Sequence, residues 1–429
     1  TLKAETDEDW LTEARADEIR GLVQDVLADA DVRSSLQSDG MTAGWADHFF
    51  LASSDGRFKL ILEGQMQIRY IYNYHNQPDR HRQGWEVTRT NLRFHGHVFS
   101  PDITYYIRTD VTRNEPGLVT GLYFLNDAWV RYALNDNWSV RVGQFKAPFN
   151  REELVSSSYQ LAVERSLVNE AMNLGRTQGI ELAYAQGSSR ATIALTEGAS
   201  GGNALGALLN NQGNQGATVS RINSNALLQD VEWSVTGRYE FLAAGNWEQF
   251  KDFTSPIDDE YGMLIGVAVH GQQGESTNGG GSARDEARFV GGTVDLSMEF
   301  GGANFFISGT HHYIDAPNSN ASLGIINFTG VVAQFGIYVA PKWEVFIRGE
   351  YGQFDGSGGS TLDFPDLNLV TTGFNYYLEG HDLKWTTDIS FGISDISGAI
   401  WAADIAGFRG DNDDVAPQVV FRTQIQLLF

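Results

Sequence analysis

The 429-residue chain contains no cysteine, which excludes disulfides and thiolate metal sites. Proline is scarce, 9 residues against 47 glycines, a balance that suits many strands and turns and not a helical protein. No uninterrupted apolar run approaches the roughly 18 residues that a membrane helix needs. Basic side chains are also few. There are 30 of them against 54 acidic ones, and the formal net charge of −24 argues against a nucleic-acid partner. The sequence has no G-x-x-x-x-G-K-S/T loop and no H-E-x-x-H helix, so neither an enzyme nor a cofactor is expected. A mean hydropathy of −0.27 would ordinarily indicate a soluble protein. A strand barrel with a watery lumen escapes that test, because half of every strand is polar.

What is present is alternation. From Phe58 onward apolar and polar residues exchange with a period of two, the mark of strands that have two different faces. Phe58, Leu60, Leu62, Met66, Ile68, Tyr70, Tyr72 and Tyr74 alternate with Lys59, Glu63, Gln65, Gln67, Arg69 and Asn73. The pattern predicts five strands before residue 146, two between 176 and 196, eight between 230 and 392, and a last one at 419–429. Sixteen is an even number, as closed bacterial single-chain barrels have. Connections alternate between short turns (133–137, 340–342, 379–382) and long polar segments (199–229, 273–287, 393–416), another barrel trait. Trp138, Trp343, Tyr376 and Trp385 near strand ends fit an aromatic girdle.

The ends of the chain add two expectations. No signal peptide opens at Thr1, so the sequence reads as a processed form. Residues 6–36 carry the apolar stripe Leu11, Ile19, Leu22, Val23, Val26 and Leu27 behind an acidic first turn, which predicts an amphipathic or coiled-coil helix over 1–40. A polar linker is expected over 41–57 and the barrel over 58–429. The last strand, Val419 to Phe429, ends on an aromatic residue and resembles the terminal strand of outer-membrane β-barrels.

The charge is uneven. Residues 1–57 sum to −8, residues 58–149 to +3, and the remainder to −19. If the apolar faces meet lipid, parity turns Lys59, Arg69, Arg89, Arg93, Arg108, Arg131 and Arg141 inward on the first five strands, with Glu63, Asp110 and Asp127. Guanidinium groups in such a wall attract anions. Glu232, Glu240, Asp295, Glu299, Glu350 and Asp388 share inward parity on later strands and would set a transverse field, or pair with the arginines to stiffen the wall. Among metal candidates, Asp411, Asp413 and Asp414 could hold Ca²⁺ in an outer loop, although their spacing is not that of an EF-hand. His95 and His97 share a face and read as pore-lining polar residues.

The run Val142-Gly143-Gln144-Phe145-Lys146-Ala147-Pro148-Phe149, with Glu152-Glu153-Leu154-Val155-Ser156-Ser157 and Glu164-Arg165-Ser166-Leu167-Val168, resembles the phosphate-selective porin O and P family. The resemblance implies a sixteen-stranded, trimeric outer-membrane barrel with an N-terminal periplasmic helix. It also implies an inward-folding constriction at about 146–176. The length and polarity of that stretch support the constriction independently. Lys146, matching the family lysine, and the acids Glu152 and Glu153 are expected there, facing Arg93, Arg108, Arg131 and Arg141. The expected function is passive diffusion of small ions and hydrophilic solutes. Outer-membrane lipid, lipopolysaccharide and two further copies would be the partners. A structural barrel anchoring the envelope through a periplasmic or cell-wall partner of the N-terminal helix is the alternative. The acidic balance does not support selectivity for phosphate.

Overall fold

The computed structural model describes residues 40–46, 48–75, 81–111, 123–199, 231–274, 288–316, 324–357, 364–396, 401, 406–409 and 417–429. The helix expected before residue 40 and the acidic loop with Asp411, Asp413 and Asp414 lie outside them.

Eighteen strands are described. Two short ones come first, β1 (Met41–Ala46) and β2 (His48–Ser53). The long strands β3 (Phe58–His75), β4 (Arg82–Val98), β5 (Ser100–Val111), β6 (Tyr123–Ala133) and β7 (Trp138–Lys146) follow. After an internal segment come β8 (Arg176–Gln186), β9 (Ser189–Thr196) and β10 (Val231–Ala244). Then follow β11 (Gly262–Gly274), β12 (Arg288–Glu299), β13 (Ala303–Ala316) and β14 (Gly324–Ala340). Last are β15 (Trp343–Ser357), β16 (Leu367–Glu379), β17 (Leu383–Gly392) and β18 (Gln418–Leu428).

Each of β3 to β18 pairs antiparallel with the next, and β18 returns to β3 over Gln418↔His75 to Leu428↔Gln65. The sheet is therefore closed and sixteen-stranded, with no edge left to pair. Strand lengths run from 8 residues in β9 to 18 in β3. About 9–11 tilted residues span a bilayer, so the longest strands project well beyond the apolar band.

Parity sorts the side chains as the alternation predicted. Val331, Phe335, Ile337 and Val339 of β14 point outward and are exposed, whereas Gln65, Gln67, Arg69 and Asn73 of β3 are buried inside. Where the short turns lie, Trp343 packs outside on Tyr376 at 4.6 Å and Trp385 at 6.5 Å, and Trp138 on Tyr184 at 4.8 Å. These rings form the expected girdle at that end.

Residues 41–53 are not a linker. β1 and β2 form a hairpin, and Phe49–Ala52 of β2 pairs with Leu62–Lys59 of β3. The pairing of the last strand with β3 ends at Gly64, held by Phe429, so β2 continues its lane from Leu62. Strands of six residues carry too little alternation to be read from sequence. A second departure concerns the connection between β10 and β11 at the short-turn end. It spans residues 245–261 and folds back inside, burying Phe250 and Phe253.

Candidate solute pathway

Between β7 and β8 the chain leaves the wall and enters the barrel. The ends of this segment are pinched by the Ala147 amide donating to the Gly175 carbonyl at 3.0 Å. It contains a short helix α1 (Arg151–Leu154), a 3-10 turn (Ser157–Tyr159) and a helix α2 (Leu167–Met172). Ser166 caps α2, its hydroxyl accepting from the Asn169 amide at 2.9 Å and donating to Glu152 at 2.6 Å. Leu167, Val168, Ala171 and Met172 are at most 3% exposed. Burying a side chain of the size of Leu, Val or Met contributes about 1.5–3 kcal/mol, so α2 is firmly held on the wall. Val168 and Met172 rest on Gly330 of β14, where a Cβ would come within 2.6 Å of both.

Polar contacts lace the segment to the wall. Arg238 donates to the Phe149 carbonyl at 2.7 Å, and Arg151 to Ser297 at 2.7 Å. Leu167 and Val163 amides donate to Glu350 and Asp388 at 2.6 and 3.0 Å. Asn375, Lys384 and Gln426 reach the carbonyls of Leu161, Gln160 and Ser158 at 2.9, 2.9 and 3.0 Å. Glu164 then pairs with Arg69 and, at 2.6 Å, with Arg89. Burial pushes the Glu164 carboxyl up, but the Arg89 and Arg69 guanidinium groups outweigh it and hold it at about 2.

This half of the lumen is filled. Beyond the constriction the inward residues are apolar, including Phe289, Ile314, Phe328 and Leu369, and Trp401 and Phe408 from the β17–β18 connection pack among them. Trp401 lies 5.0 Å from the Phe328 ring, against Gly352. The inward acids of later strands are mostly paired locally: Asp295 with Arg238 at 2.8 Å, Glu350 with Arg348 at 2.9 Å and Asp388 with Arg422 at 2.7 Å. Glu232 is exposed.

The wall formed by β4 to β8 is different. Arg93, Arg108, Arg131, Arg141 and Arg176 all face inward there. Arg93 reaches Glu63 at 3.3 Å, Arg176 reaches Asp127 at 3.1 Å, and Arg141 pairs with Glu181. Arg108 approaches Asp110 only to 3.9 Å. Arg131 has no ion pair or side-chain hydrogen bond among the described residues, and its Nε is buried without a partner.

The expected eyelet pairing is corrected in its partners. Glu153 meets Lys146 at 3.1 Å and Arg165 at 3.4 Å, and Glu152 holds the Ser166 amide and hydroxyl, each at 2.6 Å. Neither faces Arg93, Arg108, Arg131 or Arg141, because cations and donors within the segment itself lie closer. Arg69, fully buried, and Arg89 anchor Glu164 and do not stand free in the lumen. Lys59 lies roughly 20 Å along β3 from Gln65, with its Nζ 5.8 Å from the Phe50 ring of the hairpin. His95 is taken up by Glu63 at 2.9 Å and His97 by the Gly56 carbonyl at 2.9 Å, so they make no common site.

Residues 60–213 match the family model for phosphate-selective porin O and P. An uncharacterized protein of Aquifex aeolicus is 26% identical over 277 residues, a match spanning 62% of this chain and 62% of that protein's length. Among solved structures, the anion-selective porin from Comamonas acidovorans superposes with a TM-score of 0.57 at 12% identity, covering 86% of this chain and 99% of that one. The outer membrane channel DcaP of Acinetobacter baumannii gives 0.56 at 12% identity, with 86% and 97% covered. The trimer form of OmpT of Vibrio cholerae gives 0.50 at 9%, with 86% and 99% covered. At such identities the structures speak for the fold alone. The chain therefore folds as a closed sixteen-stranded barrel like those of outer-membrane porins, and over residues 60–213 it matches the phosphate-selective porin O and P family.

Proposed function

We propose that this barrel is a passive diffusion channel, not an enzyme, for small ions and hydrophilic solutes, and that solutes pass along the arginine-bearing wall of β4 to β8. The observation that carries this reading is the contrast between two sets of arginines. Arg238, Arg348 and Arg422 are at most 5% exposed and each is matched to a carboxylate. Arg131 is only part-buried and has no carboxylate among the described residues. A cation that stabilises the fold is paired, whereas one left unmatched beside water is suited to attract anions in transit. Lys146, opposite Arg176 at the end of β7, edges this passage. Self-association as a trimer is part of the same proposal, supported by the trimer form of a structural neighbour.

Reconstitution into planar bilayers tests it. Discrete conductance steps with a reversal potential on the anion side are expected under a salt gradient. A folded, heat-modifiable barrel that gives no steps would end the channel reading. A monomeric native mass in mild detergent would count against the trimer.

A further inference from the structure

We infer that the lumen wall at Tyr106, Trp129 and Arg131 is a binding shelf for flat aromatic carboxylates, a conclusion that rests on the channel reading. The three side chains share inward parity on β5 and β6, with Tyr106 opposite Trp129 and Thr104 opposite Arg131 in register. The Tyr106 and Trp129 rings are stacked at 5.4 Å and 9°. Two guanidinium groups lie over Trp129, that of Arg131 at 5.2 Å and that of Arg141 at 5.4 Å.

These two arginines differ in what they have left to offer. Arg141 is committed, lying 4.2 Å from the Phe145 ring and paired with Glu181. Gly143, opposite Trp129 in register, has no side chain to compete for the space that Arg141 occupies. Its φ of +131° and the Ala128 carbonyl 2.2 Å from any Cβ bar other residues. Arg131 rests on Trp129 but has no carboxylate partner among the described residues. It therefore offers a fork of donors that matches a carboxylate in bidentate fashion. With Tyr106 on one side of Trp129 and the two guanidinium groups on the other, a ring attached to that carboxylate would lie across the lumen-side edges of the two stacked rings, an edge-to-face arrangement that an aliphatic ring cannot copy.

The matching occupant carries both parts, one carboxylate and one π-face. Simple inorganic anions would use only Arg131. Cations would be repelled, since Arg108 and Arg93 stand next to this surface on β5 and β4.

The test measures block of the chloride current through the reconstituted native protein by benzoate and by cyclohexanecarboxylate, which share charge and approximate size. Benzoate should half-block at an about tenfold lower concentration, the equivalent of one aromatic contact. Trp129→Leu should bring that ratio to about one, and Arg131→Gln should weaken block by both acids. Benzylammonium should not block. Equal block by the two acids in the native channel, or a ratio unchanged in Trp129→Leu, overturns the shelf and leaves the channel standing. A native barrel that carries no chloride current overturns the channel reading and the shelf with it. Heat-modifiable gel migration identifies any misfolded variant, in which case Tyr106→Leu, on the neighbouring strand, must lower the ratio or the proposal falls.

Discussion

Arg131 and Arg141 sit opposite each other in register on β6 and β7, yet among the described residues only Arg141 is paired with a carboxylate, that of Glu181. Two like charges side by side on one sheet face repel. Glu181 offsets this by direct pairing with Arg141, while Arg131 has no ion-pair partner of its own among the described residues.

The asymmetry separates the two residues experimentally. Arg131→Glu should shift the reversal potential toward cations while the barrel keeps its heat-modifiable migration. Arg141→Gln should instead cost stability, on the order of 1–3 kcal/mol, because Glu181 at 3% exposure loses its partner. A lower unfolding temperature for Arg131→Glu than for Arg141→Gln would reverse the assignment.

Glu164 gathers Arg69 and Arg89 and so ties the constriction to β3 and β4. Glu164→Gln should leave those two cations short of one charge, at a cost of about 3 kcal/mol. Its visible consequence would be a noisier open channel, with the sixteen-stranded wall intact. Single-channel recordings as quiet as the native ones would show that the other lacing contacts suffice.

The same carboxyl sets a pH limit. Its pKa in the fold, about 2, lies below its ordinary 4.5, so its contribution is complete above 4.5 and is lost as pH falls toward 2. Pepsin digestion of the detergent-solubilised barrel should cut within residues 150–173 progressively more over that window. Full resistance down to pH 2 would mean that Glu164 is not what limits the attachment.

Much of this was legible in the sequence because a barrel repeats one simple rule. Period-two alternation placed all sixteen wall strands, and parity put Arg93, Arg108, Arg131 and Arg141 on the lumen side. The inward segment was legible from the interrupted alternation after Phe145. Its partners were not, because pairing depends on which strands the segment passes: Lys384 reaches the Gln160 carbonyl and Arg348 the Glu164 carbonyl only once the sheet has curved around the segment. The apolar interior was hidden for a related reason. Phe289, Ile314 and Phe328 break the polar-inside rule only because α2 and Trp401 come to cover them. Nor does a sequence reveal that Trp129 stacks on Tyr106, since both read as ordinary strand aromatics until the register of β5 and β6 is known.

The seam of the barrel supplies the last expectation. Gly64 and Phe429 exchange backbone hydrogen bonds, the Gly64 amide to the Phe429 carbonyl at 2.6 Å and the Phe429 amide to the Gly64 carbonyl at 3.1 Å. Phe429 is held beside Gly64 with its ring lying where a side chain would start, 2.3 Å from the position of a Cβ. A Cβ there would displace the far end of this half-exposed ring, and with it the contact at the residue whose backbone continues the β18–β3 ladder. Gly64→Ala should therefore overpack the seam at a cost of about 1–3 kcal/mol. It should lower the temperature at which the folded band converts to the unfolded one on gels. Leu62→Ala, on the same outward face of β3, is the comparison, since it removes bulk there without adding any at the seam. If the two substitutions shift the transition equally, or if Gly64→Ala shifts it not at all, the contact between Gly64 and the Phe429 ring does not set the stability of the closure.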